Sequence, residues 1–81
     1  MTIQQSIQKN GARKTAIKMV DVVLQRKIGL SSLDLADSVT FMNGLDSIQD
    51  SLEAGDIQNA KDLSIETADE MLEEEGFGEF F

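Results

Sequence analysis

The sequence predicts an all-α fold: an antiparallel helical hairpin or three-helix bundle with a short flexible acidic, Phe-rich C-terminal tail. Three observations lead there. The 81 residues contain no proline, and their β-branched residues show no sustained alternation. Apolar residues recur at helical spacing through most of the chain. Gly29, Gly55 and Gly76 fall where C-terminal helix caps belong. Residues 1–75 read as one helical domain and 76–81 as the tail.

The first helix is expected over 2–28, with Asn10-Gly11 as a weak point. Ile17, Val20, Leu24 and Ile28 form its apolar stripe, widened by Ala16, Met19 and Val23 to nearly half the circumference. Lys14 and Lys18 fall on the polar side, whereas Arg13 and Lys27 flank the stripe. The wide apolar face, more than a short hairpin covers, makes a homodimer a reasonable expectation.

The second helix is expected over 32–54, starting after Ser31 or Ser32, with Asp34 in the first turn where the macrodipole favours an acid. Its apolar residues divide between two faces. Leu35, Val39 and Met42 share one, and Phe41, Leu45, Ile48 and Leu52 share another about 120° away, at 100° per residue. A central helix touching both neighbours fits this pattern, as does a break at Asn43-Gly44; the central helix is preferred. The third helix is expected over 56–75 with Asp56 as N-cap. Ile57, Ala60, Ser64, Ala68, Met71 and Leu72 face one way, and Asp62, Glu66, Asp69 and Glu73 the other. The pattern Leu52-x-x-Gly55-Asp56-x-x-x-Ala60-x-x-Leu63 resembles the tight helical hairpins of tetratricopeptide-type repeats. It occurs once and implies an antiparallel turn between helices.

A chain this short buries only about 60% of its unfolded surface, and without cysteine it has no disulfide to reinforce the core. The lack of cysteine fits a reducing compartment. No apolar run approaches membrane-spanning length, and the N-terminus lacks a signal-peptide apolar stretch. A cytoplasmic protein is expected, in the host cell if the chain is phage-encoded. Histidine, cysteine, tyrosine and tryptophan are all missing, which removes the usual general base, thiol nucleophile and phenolic acid. No nucleotide-loop or nucleophile-elbow pattern occurs. The chain is therefore read as non-enzymatic and without cofactors. Asp46, Asp50, Glu53 and Asp56 lack the loop spacing of a calcium site and read as solvated helix surface.

The net charge is −8, unevenly distributed. Residues 1–28 hold six cations against one acid, whereas residues 29–81 hold one cation against fourteen acids. Such polarity implies a basic partner for the acidic part or an internal match between basic and acidic helices. The basic segment, with Arg13, Lys14, Lys18 and Arg26, invites a nucleic-acid reading. It offers no aromatic for base stacking, its cations do not form one face, and the fourteen acids oppose it. Direct nucleic-acid binding is disfavoured, and so is membrane binding, because no Trp or Phe anchors lie in this segment. The acidic row Asp62, Glu66, Asp69, Glu73 follows i, i+4, i+7, i+11 spacing at a cost of a few tenths of a kcal/mol per neighbouring pair. Its spacing approximates that of backbone phosphates and suits imitation of nucleic acid toward a basic groove.

Three of the four aromatics, Phe77, Phe80 and Phe81, stand in the last five positions, after Glu73-Glu74-Glu75. The segment 73–81 resembles two kinds of docking tip. One is the acidic, Phe-ended tip of bacterial-type single-stranded-DNA-binding proteins. The other is the sliding-clamp-binding tail of polymerases and late-transcription factors in T4-like phages, which Glu79-Phe80-Phe81 matches slightly better. Either resemblance implies that Phe80 and Phe81 anchor in a partner's pocket. Glu79, the glutamate run and the terminal carboxylate would then meet basic residues at its rim. The alternative is that the tail folds back and plugs the chain's own core. The expected function is thus an adaptor or modulator that binds proteins through its body and through a tail of Phe77, Glu79, Phe80 and Phe81. Its partner would be a basic-grooved or clamp-like protein. The rivals are a nucleic-acid-mimicking inhibitor and a charge-polarised scaffold.

Overall fold

Thr2 begins the first helix with a reciprocal cap: its Oγ1 accepts the Gln5 N–H at 3.1 Å, and its own N–H donates to Gln5 Oε1 at 2.9 Å. The computed structural model describes residues 2–29 and 39–74, and all regular structure among them is α-helical. The elements are α1 (Ile3–Asn10), α2 (Ala12–Ile28), α3 (Val39–Glu53) and α4 (Ile57–Glu74).

The single helix expected over 2–28 is in fact two, which corrects the sequence reading at Asn10-Gly11. Gly11 adopts φ 88° and ψ 162°, a backbone region essentially restricted to glycine. Its N–H closes α1 on the Ile7 carbonyl at 2.8 Å, and its carbonyl accepts the Thr15 N–H at 3.2 Å. The chain thereby reverses with no loop. α1 lies back against α2, clipped by a buried hydrogen bond between the Ser6 and Thr15 hydroxyls at 2.9 Å. Thr15 Oγ1 also lies 2.9 Å from the Gly11 carbonyl, to which it donates.

α2 stops at Gly29 and α3 at Gly55, as the sequence predicts. The α3–α4 turn is a Schellman motif: the Asp56 N–H bonds to the Ser51 carbonyl at 2.9 Å and the Gly55 N–H to the Leu52 carbonyl at 3.1 Å. Asp56 then caps α4, accepting the Asn59 N–H at 3.1 Å. Asn59 Nδ2 donates to Ser51 Oγ at 2.7 Å and ties the two sides of the turn. The expected helices 32–54 and 56–75 are thus present as α3 and α4 within the described residues, while 30–38, including Ser31, Ser32, Asp34 and Leu35, and 75–81 lie outside them.

Helix α3 runs unbroken through Asn43-Gly44 and packs against both α2 and α4, the central arrangement. Of its two apolar faces only one is buried: Phe41, Leu45, Ile48 and Leu52 enter the core, whereas Val39 and Met42 remain 74% and 48% exposed. Ala16, Val20 and Leu24 from α2 and Ala60, Ala68, Met71 and Leu72 from α4 complete the core. The three buried alanines are small enough for the helices to approach closely. Burial of the larger side chains is worth about 1.5–3 kcal/mol each.

Gly44 marks a close crossing of α3 and α4. A Cβ built there would stand 2.3–2.9 Å from Oγ1, Cγ2 and Cβ of Thr67 on α4. Because the clash includes Cβ, rotation of the Thr67 side chain does not relieve it. Two outcomes follow. Gly44→Ala should lower the urea midpoint by the equivalent of about 1–2 kcal/mol, overpacking outweighing the gain in helix propensity. Adding Thr67→Ala should recover part of that loss. Gly11→Ala should cost about 1–3 kcal/mol in the same measurement, because alanine is strained at that backbone geometry.

Candidate functional site

The lopsided charge of the sequence is matched within the fold. Arg13 of α2 meets Asp46 of α3 at 2.5 Å and donates to Gln49 at 3.4 Å. Lys27, near the other end of α2, pairs with Asp69 of α4. These are the two cations that flank the apolar stripe, so docking the stripe carries them to the neighbouring helices. The remaining acids of the α3–α4 turn also have local roles. Glu53 accepts from Gln49 at 2.9 Å, and Asp56 caps α4. Among the described residues no group of three or more acids is placed to hold a metal ion, and no helix is long and apolar enough to cross a membrane.

Asp62, Glu66, Asp69 and Glu73 are all exposed on α4. The row is interrupted at Asp69, which pairs with Lys27, while Asp62 keeps its charge and accepts a hydrogen bond from Gln58 at 3.1 Å. The tail residues Phe77, Glu79, Phe80 and Phe81 lie outside the described residues.

On the side of the bundle where α1 folds back, α1, α2 and α4 leave an open groove of about 580 Å³. Its apolar surface comes from Ile3 of α1, Met19, Val22 and Val23 of α2, and Ile65 of α4. Val22 and Ile65 are 49% and 47% exposed. Arg26, Lys61 and Ser64 supply the polar lining. A smaller hollow of about 230 Å³ shares Ile3, Met19 and Val22 and extends the groove toward Lys18. Among the described residues no Asp or Glu lines either space.

Three of the chain's seven cations therefore border this groove in a protein of net charge −8. Neither Lys18, Arg26 nor Lys61 is in an ion pair among the described residues. Chemically, the arrangement accepts an apolar side chain between two helices while a nearby carboxylate meets a cation. The basic residues singled out from the sequence are thus divided. Arg13 is structural, Lys14 is exposed outside the groove, and Lys18 and Arg26 border it. Lys61, Val22, Ile3 and Ile65 were not singled out. Their signal in the sequence is the line Lys18, Val22, Arg26 at i, i+4, i+8, echoed by Lys61 and Ile65.

No family model, curated protein or solved structure matches the chain.

The ion-pair geometry generates a swap test. Arg13→Glu should destabilise the fold by up to about 1 kcal/mol at low salt. Arg13→Glu combined with Asp46→Arg should restore most of this, and 1 M salt should shrink both differences. Thermal melts at two ionic strengths check it.

Proposed function

We propose that the protein is a small non-enzymatic adaptor or modulator whose helical body receives an acidic, apolar protein segment and whose Phe-rich tail engages a second partner. The observation that carries this reading is the groove between α1, α2 and α4. It leaves β-branched side chains half exposed, and three cations border it where the rest of the surface is acidic. Its polarity selects for partners with carboxylates next to apolar residues.

The tail supports the second half of the reading. Its Glu79-Phe80-Phe81 resembles the clamp-docking tails of T4-like phages, which favours a clamp-like or otherwise basic-pocketed partner. An accessory factor acting on replication or transcription machinery in a cell's cytoplasm would use both surfaces. One observation favours a second reading: the four carboxylates of α4 do stand exposed on one helix. An inhibitor that imitates nucleic acid would use that face. Asp69's pairing with Lys27 weakens this reading, because a cation then stands against one of the four carboxylates.

Affinity capture separates these uses when it compares the full chain, a chain ending at Gly76, and a Val22→Glu/Ile65→Glu variant. The adaptor reading expects two non-identical sets of lost partners, one lost with the tail and the other with the groove. Retention of every partner by both altered proteins, together with loss on Asp62→Lys/Glu66→Lys, would favour the mimic. Circular dichroism checks that each variant keeps its helicity.

A further inference from the structure

We propose that the groove receives residues 75–81 of this same chain, with Phe80 and Phe81 entering between α2 and α4 and Glu79 meeting Arg26 and Lys61. The proposal rests on the reading of the groove as a peptide-binding site and names its resident occupant.

Charge complementarity selects this segment. The groove has Lys18, Arg26 and Lys61 around it and no acid among the described residues of its lining. The segment Glu75-Gly76-Phe77-Gly78-Glu79-Phe80-Phe81 contains acids and aromatics and no cation. Arg13 and Lys27, the other cations on the core-flanking positions, are already paired with Asp46 and Asp69. Of the five cations outside those two ion pairs, three therefore border the groove.

Reach is sufficient. The last described residue of α4 is Glu74, and Ile65 of the groove lies nine residues earlier on the same helix. At 1.5 Å per residue that is a drop of about 13.5 Å. Seven extended residues span about 23 Å, which leaves about 10 Å to pass around one helix. Phe80 and Phe81 reach the level of Ile65 by this count, whereas Phe77 does not. Gly76 and Gly78 supply the backbone freedom for a sharp reversal.

Tethering makes modest affinity enough. A short flexible linker supplies an effective concentration on the order of millimolar, so the segment fills the groove even when the free peptide binds weakly. A partner that takes the groove must displace the tail, and a partner that takes the tail opens the groove. The two binding activities are then reciprocal.

Amide NMR spectra of the full chain and of a chain ending at Gly76 test this. Truncation should shift the amides of Met19, Val22, Val23, Lys61 and Ile65. A synthetic peptide covering 73–81, added to the shortened chain, should move them back. Phe80→Ala/Phe81→Ala in the full chain should reproduce the truncated spectrum. Arg26→Glu/Lys61→Glu, surface changes that leave the core intact, should weaken peptide binding by roughly tenfold. The full-chain spectrum should not depend on protein concentration.

Groove amides that ignore both truncation and peptide would overturn the proposal. So would shifts that grow with concentration alongside a doubled mass in light scattering, since a second copy would then be the occupant. An unrelated acidic, Phe-containing peptide separates the two levels of failure. If it perturbs the groove while tail removal does not, self-docking falls and the groove reading stands. If neither perturbs the groove, both fall.

Discussion

The approach of α3 to α4 at Gly44 and Thr67 is the constraint on which the other contacts depend. With no side chain at position 44, the two backbones come close enough for Phe41, Leu45 and Ile48 to share a layer with Ala68, Met71 and Leu72. The Schellman turn and the Asn59–Ser51 bond hold the hairpin at one end, and the hydrogen bond from Thr40 to Glu74 holds it toward the other. Only a hairpin this narrow presents a single surface to α2.

Apolar burial brings α2 onto that surface but does not by itself choose where along it α2 rests, because the hydrophobic effect is non-directional. The two ion pairs supply position. Arg13 and Lys27 are separated by about 21 Å along α2, and each finds its acid on a different helix of the hairpin. Each pair is exposed and worth little in energy. Together they act as two fixed marks that specify one register. The chain's polarity, with most cations before residue 29 and nearly all acids after it, is in part this register written into composition.

Much of this was legible from residue order. The glycine stops at 29 and 55, the Asp56 cap and the buried face of α4 all follow from local chemistry that does not depend on tertiary context. Arg13 and Lys27 could be separated from Lys14 and Lys18 because their angular positions border the stripe. Gly11 was harder to read. A glycine inside a helical pattern signals a fray or a reversal alike, and only the Ser6–Thr15 hydroxyl pair, nine residues apart, decides for reversal. The groove was hidden for the same reason. Its walls come from three helices, and once α1 is read as continuous with α2, Ile3 lies far from Met19 and Val22. The two faces of α3 predicted two buried surfaces among its neighbours, yet Val39 and Met42 stay exposed, because α2 and α4 both contact the side bearing Phe41 and Leu45.

Helix α1 has only eight residues, fewer than the roughly 12–15 at which an isolated helix becomes even marginal in water. It persists because a capping box closes its start, Gly11 closes its end, a hydroxyl pair clips its middle to α2, and Ile3 and Ile7 pack against the core. Segments held this way open locally at lower free energy than the core they rest on. Since Ile3 forms one wall of the groove, the width of that groove follows the local opening of α1. A wall held in this way opens without the bundle coming apart, so the groove changes width while the core beneath it stays packed.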